Sequence, residues 1–270
     1  MLRTVQLTVL ASGSKGNSSV VSSGNTCLLV DAGISCRETI RRMRLARLDP
    51  EQLNAILITH EHSDHVSGLE VLARKLRIPV FMTGATRAAY RRMMRDLRDP
   101  NAGKLERVEE FQAGCGFQVG DIAVMPFTIP HDAADPVGFT FRMNGCKLGI
   151  ATDLGYMPTS VRHAVRGCDV LVIESNHDLD MLRDGPYPWM VKQRVMSRVG
   201  HLSNLALAEF LSGEYDGGAS FIILAHLSEK NNHPELARTA AEQALESKAS
   251  LLQNRLLLAA QDRALETIRL

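Results

Sequence analysis

The residues of this sequence that are best suited to chemistry lie in one hexapeptide, His-Glu-His-Ser-Asp-His at positions 60–65, directly after a short apolar run. Imidazole and carboxylate ligands without thiolate suit zinc, manganese or iron in a site that leaves positions open to solvent. On an extended loop, His60 and His62 point the same way and can bind one ion. Asp64 and His65, at the start of the following helix, can bind a second ion beside it.

Polar residues at the ends of three later strands are candidates for the remaining ligands. His131 follows the run 122–130, Asp153 follows 147–151 and His226 follows 221–225. A single histidine of this kind is more often a solvated loop residue. Three strands that end in this way downstream of the hexapeptide indicate one shared site, because strand ends bring side chains to one rim of a sandwich.

The order of these residues, HxHxDH followed by His, Asp and His, resembles that of the metallo-β-lactamase superfamily. The glycine-rich segment 12–18 and the segments 128–133, 200–204 and 225–232 are further similar to the WalJ (YycJ-like) branch of that superfamily. The resemblance runs nearly from end to end of the chain. It implies a four-layer αββα sandwich, a dinuclear metal site at one rim, and exonuclease activity on DNA with 5′ polarity.

The same resemblance implies how the ligands divide between two metals. By that resemblance, His60, His62 and His131 hold one metal, Asp64, His65 and His226 hold the other, and Asp153 bridges both. We therefore predict two divalent ions per chain, zinc or manganese, about 3.5–4 Å apart. Asp64 and Asp153 are predicted to be catalytic residues as well as ligands.

A pair of cations in such a site can hold a bridging hydroxide and neutralise charge on a phosphoryl or carbonyl oxygen. Lactams, thioesters and phosphodiesters are all hydrolysed by centres of this type, so the site alone does not determine the substrate. Two alternatives to a nuclease therefore stay open: a small-molecule hydrolase, such as a thioesterase or a cyclic-phosphate phosphodiesterase, and an inactive metal-binding scaffold. The scaffold is disfavoured because all seven ligand positions are filled.

His201 favours a phosphodiester substrate. It lies in the sequence Gly-His-Leu-Ser-Asn at 200–204, which resembles the histidine motif that tRNA-processing RNase Z places near its scissile phosphate. A histidine at that place can protonate the leaving oxygen or bind a non-bridging oxygen. We therefore predict that His201 is a third catalytic residue; the structural alternative is a neighbour of a helix cap.

Basic and polar residues around this motif are the candidate contacts to a nucleic acid, which is the predicted partner. They are Lys192, Arg194, Arg198, Ser203, Asn204 and Ser228. Arginine stripes at 37, 41 and 44 and at 87, 91, 95 and 98 match phosphate chemistry, although such a face is more often only solvated. Trp189 and Tyr187 are the paired candidates for base stacking, but we expect them to pack a loop against the sheet.

The elements that must position these residues alternate between strands and helices. Strands are predicted at 5–10, 19–22, 26–30, 55–58, 79–82, 117–119, 122–128, 138–143, 147–151, 170–174 and 221–225, with two short closing strands at 255–260 and 265–270. Helices are predicted at 37–45, 67–76, 85–97, 159–165, 188–198, 204–212 and 234–246. This order favours an α/β fold of two face-to-face sheets covered by helices, in one domain over residues 1–270. Asp31 and the segment 174–178 end strands and can support the ligands.

Composition agrees with a globular enzyme rather than a fibrous, disordered or membrane protein. The 270 residues are 45% hydrophobic and 23% charged, with a formal net charge of +1 and a mean hydropathy of -0.07. This balance leaves no strong overall field to steer a partner. The five cysteines form no CxxC pair, and no run approaches 18 apolar residues, so we expect a cytoplasmic protein without a membrane segment. The oligomeric state is not fixed by the sequence.

Overall fold

The computed structural model describes residues 4–95, 103–246 and 254–270 of the chain. The strands in this part are β1 Gln6–Ala11, β2 Ser18–Ser22, β3 Cys27–Val30, β4 Leu53–Leu57, β5 Val80–Thr83, β6 Val108–Phe111, β7 Phe117–Val119, β8 Ile122–Thr128, β9 Val137–Met143, β10 Cys146–Ala151, β11 Val170–Glu174, β12 Phe221–Ala225, β13 Arg255–Leu258 and β14 Ile268–Arg269. The helices are α1 Cys36–Leu45, α2 Ser63–Val66, α3 Leu69–Leu76, α4 Gly84–Arg95, α5 Thr159–Val165, α6 Leu179–Asp184, α7 Trp189–Val195, α8 Asn204–Ser212 and α9 Pro234–Glu246.

The strands form two sheets of the same design. The first has the order β14-β1-β2-β3-β4-β5-β6 and the second the order β13-β12-β11-β10-β9-β8-β7. Each sheet is antiparallel at one side and parallel at the other, with the change at β3 and at β10 respectively. Strands β9 and β10 are joined by a tight turn at Asn144-Gly145, where both residues have positive φ. The parallel strands are joined through helices.

Apolar side chains fill the space between the two sheets. Val9 and Leu57 of the first sheet share one buried cluster with Phe139 and Val172 of the second. The outer face of the first sheet is covered by α1, α3 and α4, and that of the second by α5, α8 and α9, each through its own apolar cluster. The predicted four-layer αββα fold is confirmed.

The parallel strands deliver polar residues to one rim. The strands β10, β11 and β12 run parallel and are buried almost throughout, so their chain segments can become polar only where the strands end. β8 runs in the same direction as β10, because both are antiparallel to β9. His131, Asp153, Glu174 and His226 therefore reach the same rim of the second sheet.

The elements differ from the sequence prediction in a few places. The edge strand β6 was not predicted, because two of its four side chains are exposed glutamates and no apolar run marks it. The short helix α6 was also not predicted. The predicted helix at 67–76 is interrupted before Leu69 and preceded by α2. Residues 96–97 of another predicted helix, and Arg98, lie outside the described residues. The two closing strands are confirmed.

Gly68, between α2 and α3, lies close to the backbone of Ile34. A Cβ at this position would lie 2.1 Å from the carbonyl oxygen of Ile34, a distance that no side chain can adopt.

No helix in the described part of the chain has the length and apolar character needed to cross a membrane.

Candidate metal centre

Three histidines form the first candidate ligand set, which we call the three-histidine cluster. His60 and His62 lie on the loop between β4 and α2, and His131 follows β8. His60 Nε2 lies 3.1 Å from His62 Nδ1, and His131 Nε2 lies 3.2 Å from the same atom. Three ring nitrogens from the two sheets therefore converge on one point.

Two aspartates and two histidines form the second candidate set, which we call the carboxylate–histidine cluster. Its members are Asp64, His65, Asp153 and His226. His65 Nε2 lies 3.5 Å from Asp64 Oδ2 and 3.4 Å from Asp153 Oδ2. His226 Nε2 lies 3.5 Å from Asp64 Oδ2. Asp64 and His65 reach this point because α2 begins at Ser63, as the sequence predicted for the start of a helix.

The donor atoms of these clusters fit a divalent metal. Asp153 Oδ2 and His226 Nε2 are buried and have no hydrogen-bond partner among the described residues. A buried polar atom without a partner is rare and costs about 1–3 kcal/mol, unless an ion or water satisfies it. Imidazole nitrogens and carboxylate oxygens are the ligands that zinc and manganese accept. Both clusters are therefore candidate sites for divalent metal ions.

Acidic side chains fix the ring orientation of the two histidines in the carboxylate–histidine cluster. His65 Nδ1 donates to Asp31 Oδ2 over 2.8 Å, and His226 Nδ1 donates to Glu174 Oε1 over 2.8 Å. Because Nδ1 of each ring is bonded to a carboxylate, Nε2 is the atom that faces the cluster and could bind a metal. Such carboxylate–histidine pairs raise the basicity of a ligand and hold it in place.

Neutral oxygen atoms fix the orientation of two rings in the three-histidine cluster. His131 Nδ1 donates to the carbonyl of Gly200 over 3.2 Å. His60 Nδ1 lies 3.0 Å from Thr59 Oγ1, and Thr59 Oγ1 in turn donates to Asp31 over 2.9 Å. Asp31 therefore supports ligands of both clusters, one directly and one through Thr59.

The electrostatics of the site keep the carboxylates ionised. Burial acts to raise the pKa of Asp153, but His226 and His65 outweigh it and hold this pKa well below the ordinary value. Burial also acts to raise the pKa of Asp64, but the charge of His65 outweighs it and this pKa is lowered. Burial lowers the pKa of His60, so this imidazole is neutral. Ionised carboxylates and a neutral His60 suit metal binding. Burial acts to lower the pKa of His65 and of His226, but the charge of Asp153 outweighs it and raises both well above the ordinary value, so a metal would displace the Nε2 proton of these two rings.

His201 lies at the same rim, immediately before α8. Its Nδ1 donates to Glu174 Oε1 over 2.8 Å, so Glu174 contacts both His201 and the ligand candidate His226. Burial acts to lower the pKa of His201, but the charge of Glu174 outweighs it and the pKa is raised. His201 belongs with Asp153, Glu174 and His226 to a third group that could bind a metal. Because its Nδ1 is already bonded, only its Nε2 is free to act.

A cavity of about 450 Å³ lies over the clusters. His62, Asp64, His131, Asp153, His201 and His226 line its base. Of the predicted substrate contacts, Arg194 and Ser228 also line the cavity, and Arg194 forms an ion pair with Asp132. The cavity is within the range of 300–1,000 Å³ that is usual for small-ligand sites, and it is open to solvent on one side.

The other four predicted substrate contacts lie outside the cavity lining and make contacts within the protein. Lys192 is buried, and its ammonium group donates to the carbonyl of Arg183 over 2.6 Å. Arg198 lies over the ring of Tyr156 at 4.4 Å. Ser203 caps α8 and Asn204 bonds to Ser175 in a buried network. None of the four side chains lines the cavity, and their contact with substrate stays a prediction.

The two arginine stripes have different surroundings. The stripe on α1 does not line the cavity, and Arg41 there pairs with Glu38. On α4, Arg87 pairs with Glu110, whereas Met93 of the same helix lines the cavity. None of the described arginines of either stripe lines the cavity, and Arg91 and Arg95 lie on the face of α4 opposite Met93.

The two aromatic candidates for base stacking differ in their surroundings. Tyr187 lines the cavity. Trp189 is 62% exposed, so the prediction that it packs a loop against the sheet was wrong.

Asn17 and Thr59 support the centre although sequence reasoning did not single them out. Asn17 Nδ2 donates to Asp64 Oδ2 over 3.2 Å and lies 3.0 Å from His65 Nε2. The backbone N–H of Asn17 donates to the carbonyl of Asp64. The glycine-rich segment 12–18 was the available signal, since glycines there allow this close approach. At Gly33, which packs on the same carbonyl, a Cβ would lie only 1.7 Å from it.

The backbone itself is unusual at three residues of the centre. Asp31, Asp153 and His226 have φ values of 60°, 62° and 56°, in the left-handed region that most residues avoid. Each follows directly or closely on a strand end. Such strained conformations concentrate at functional sites, where the surrounding structure maintains them.

The fold and the clusters at its rim define a protein of the metallo-β-lactamase type. The structure of Zn²⁺-bound PqqB from Methylobacterium extorquens superimposes with a TM-score of 0.69 at 17% identity, over 96% of this chain and 99% of that chain. This likeness concerns the fold.

Sequence comparison makes the assignment more specific. Residues 26–222 match the model of the Beta-lactamase superfamily domain. Exodeoxyribonuclease YycJ of Bacillus anthracis is 41% identical over 248 residues, which is 90% of this chain and 90% of that protein. Exodeoxyribonuclease WalJ of Streptococcus pneumoniae is 38% identical over 231 residues, 85% of this chain and 84% of that protein. The chain belongs to the Beta-lactamase superfamily, in the family of these YycJ and WalJ proteins.

Proposed function

We propose that this protein is a metal-dependent exodeoxyribonuclease that hydrolyses phosphodiester bonds with two divalent metal ions. The observation that carries the proposal is the convergence of seven histidine and aspartate side chains from both sheets at one rim, where five of them line one open cavity. The relatives named exodeoxyribonuclease, which match nearly the whole chain, support DNA as the substrate. A DNA substrate and the cysteine usage support a cytoplasmic location, and the apolar layer shared by the sheets supports a single domain.

The ligands divide between the two ions as the clusters do. His60, His62 and His131 would hold one ion, whereas Asp64, His65 and His226 would hold the other, with Asp153 between them. The two orphaned buried atoms, Asp153 Oδ2 and His226 Nε2, support this division. We propose zinc or manganese on the basis of the ligand atoms.

The metal ions, when bound, would supply activation of water and neutralisation of charge on the phosphate. The protein's own side chains orient the ligands and supply a proton. Asp153 keeps its carboxylate ionised between the clusters, and Asp31 and Glu174 hold the ligand rings in place. His201 carries a proton donor, Nε2–H, when its ring is doubly protonated, and the ionised Glu174 stabilises that state. We propose that His201 protonates the leaving oxygen, a role worth roughly 10²–10⁴-fold in rate.

The test is a nuclease assay on end-labelled single- and double-stranded DNA. Protein stripped by a chelator is assayed alone and after Mn²⁺, Zn²⁺ or Mg²⁺ has been added back, with Asp153→Asn as the inactive control. The expected result is stepwise release of mononucleotides from one end, and only with metal. Absence of DNA cleavage, together with hydrolysis of a thioester or a cyclic phosphate, would show that the enzyme acts on small molecules instead.

A further inference from the structure

A second cavity, between α1 and the C-terminal segment that contains β14, is rich in arginine. Its volume is about 720 Å³, and we call it the arginine groove. Two carboxylates, Asp262 and Glu266, line it together with five arginines. The five are Arg41, Arg42, Arg47, Arg263 and Arg269.

Three of the five arginines have no charged partner in the described part of the chain. Arg47, Arg263 and Arg269 are exposed and form no ion pair with another described residue. The other two pair with Glu38. Even when Glu38 is counted, five guanidinium groups stand against three carboxylates. An unpaired guanidinium group on a concave surface can bind phosphate oxygens, which fit its forked donors.

The arginine groove begins beside the catalytic cavity. Ser14 lines the catalytic cavity, and the next residue, Lys15, donates its backbone N–H to Gln261 Oε1 over 2.8 Å. Gln261 directly precedes Asp262, which lines the groove. The glycine-rich segment 12–18 therefore connects the lining of the catalytic cavity with that of the groove.

Strand β1 shows in which direction the groove runs. Ser12, which follows β1, accepts a hydrogen bond from the backbone N–H of His226 over 2.7 Å, so this end of β1 lies at the candidate metal centre. Residues 265–270 run antiparallel to β1, with backbone hydrogen bonds to Val9 at the start and to Val5 at the end. The groove therefore leads away from the rim.

The arginines are spread along this direction. The distance from Val9 to Val5 is about 13 Å, because a strand rises about 3.3 Å per residue. Arg263 lies before this stretch, and Arg269 lies opposite Gln6 near its far end. One strand of a DNA duplex carries a phosphate for about every 3.4 Å of the helix axis. The spacing of the arginines therefore suits several successive phosphates better than one small anion.

We propose that the arginine groove binds the phosphate backbone of the DNA outside the catalytic cavity, beyond the nucleotide that is hydrolysed. This inference rests on the proposed function and adds a second contact surface to it. DNA matches the groove because its backbone is a continuous polyanion whose end must lie in the neighbouring cavity. Contacts to phosphates remote from the reacting bond are the same before and in the transition state, so they should lower KM and not raise kcat.

The first test measures KM and kcat of the metal-loaded protein on oligodeoxynucleotides of increasing length. In the wild type KM should fall with length until the DNA fills the groove. A double variant, Arg47→Gln with Arg263→Gln, should lose most of this dependence. Its KM for long DNA should rise about fivefold per arginine at about 0.1 M salt, since each phosphate contact contributes about 0.7 to the salt slope.

A matched control removes the same charge elsewhere. Arg77 and Arg107 are exposed, line neither the catalytic cavity nor the arginine groove, and form no ion pair with another described residue. Arg77 follows a helix end with a left-handed backbone, as Arg47 does. Arg77→Gln with Arg107→Gln should keep the length dependence of the wild type. Hydrolysis of a nitrophenyl phosphodiester, which is too small to reach the groove, reports whether each variant is folded.

The second test measures binding of a phosphorothioate oligodeoxynucleotide, which resists hydrolysis, by fluorescence anisotropy at several salt concentrations. Each arginine lost from the groove should reduce the slope of log Kd against log salt by about 0.7 for a single strand and by about 0.9 for a duplex. Asp262→Asn and Glu266→Gln, which remove the two carboxylates of the groove, should tighten binding. A general loss of stability would not produce effects of opposite sign.

The outcomes separate this inference from the proposed function. Binding of DNA in the groove without any cleavage would overturn the proposed function and leave the groove as a DNA-binding surface. Cleavage of DNA with the same length dependence and the same salt slope in the groove variant and in the control variant would overturn the groove inference alone. Tripolyphosphate that binds as tightly as the oligonucleotide, and is lost in the groove variant, would show that the groove takes a small anion, which also overturns the inference.

Discussion

At the scale of single residues, Glu174 contacts both a candidate metal ligand and the proposed proton donor. Its Oε1 accepts from both His201 and His226, and its Oε2 accepts from the backbone N–H groups of Leu154 and Leu202. The carboxylate is fully buried. Burial acts to raise its pKa, but the charge of His201 and hydrogen bonds from both histidines outweigh it and lower the pKa to about 2. One ionised side chain therefore fixes a ligand candidate and the proposed acid relative to each other.

Replacing His201 tests the role of the acid. His201→Ala should retain both metals and the substrate affinity but lose roughly 10²–10⁴-fold in kcat on DNA. The loss should be smaller on a nitrophenyl phosphodiester, because a good leaving oxygen departs as the anion. Steady-state kinetics on both substrates and metal analysis provide the measurement. Equal losses on both would indicate that His201 binds the phosphate, and loss of a metal would indicate that it is a ligand.

Replacing Asp153 tests the proposed bridge. Asp153→Ala should abolish turnover and lower the metal content, yet leave the far-ultraviolet circular dichroism unchanged, because the side chain lies at the rim and not in the apolar layers. Asp153→Asn has the same shape and separates loss of charge from loss of volume. A near-normal rate in either variant would show that Asp153 does not bridge the metals.

The residue scale also shows what could be predicted from the sequence about the site. The seven ligand candidates were found because they end strands in a recognisable order, and the structure brings all seven together. Thr59 and Asn17 were not found, because a threonine beside a histidine and an asparagine in a glycine-rich loop have many uses. Lys192 is predicted to contact substrate because of its charge, and this stays a prediction; its burial and its bond to the carbonyl of Arg183 depend on tertiary contacts that its charge does not report.

At the scale of elements, α1 is attached to the first sheet by a buried arginine. Arg42 Nη1 donates to the carbonyls of Leu10 at the end of β1 and of Gln261 before β14, each over 2.9 Å. Arg42 Nε donates to Glu38 over 2.6 Å. Because Leu10 precedes the glycine-rich segment, this attachment helps to hold the loop that contacts Asp64.

The attachment should depend on pH. Hydrogen bonds from Arg41 and Arg42 lower the pKa of Glu38 to about 2 in the folded protein. In the unfolded chain the pKa of a glutamate is about 4.3. A lowered pKa stabilises the folded state above the unfolded pKa, and this contribution disappears as the pH falls toward the folded value. Glu38→Gln should therefore lower the free energy of unfolding by about 1 kcal/mol near neutral pH, and the difference should shrink between pH 4 and pH 2.

Urea unfolding at several pH values measures this difference. Glu209→Gln, at an exposed position of α8 that has no ion pair with a described residue, is the matched control and should change little at any pH. A difference between Glu38→Gln and wild type that stays constant down to pH 2 would contradict the ion pair as its origin.

The elements that sequence reasoning missed share a physical cause. The sequence predicted β10, β11 and β12 because parallel strands covered on both faces need continuous apolar runs. The edge strand β6 and the six-residue helix α6 bury one face only, and too few residues repeat for a period to show. The close approach of Gly68 to Ile34 is a tertiary contact, which the local sequence does not report.

At the scale of the whole molecule, the candidate metal centre joins the two sheets. The residues from His60 to His65 follow β4 of the first sheet, and His131, Asp153 and His226 follow strands of the second. Each cluster takes ligands from both. A metal bound there links the two sheets and binds the folded state only.

Metal binding should therefore raise the thermal stability of the protein. At a free metal concentration one hundred times Kd, the expected stabilisation is about 2.7 kcal/mol for one site. Melting of chelator-treated protein with and without Zn²⁺ or Mn²⁺ measures it as a rise in Tm. His60→Ala and His226→Ala should each reduce the rise, whereas His163→Ala, at an exposed histidine on α5, should match wild type. No rise with any divalent metal would contradict the centre.

Asp31, Asp153 and His226 have left-handed backbone conformations, so selection for stability and selection for activity should favour different residues at such positions. Glycine adopts this conformation without strain, and Asp153 Oδ2 and His226 Nε2 are buried atoms without a hydrogen-bond partner among the described residues. Selection for thermostability alone should therefore replace Asp153 or His226 by glycine or asparagine, at a gain of about 1 kcal/mol for the metal-free chain. Selection for activity should retain aspartate and histidine. A stability screen of metal-free variants at these two positions, followed by an activity screen, should thus enrich opposite residues.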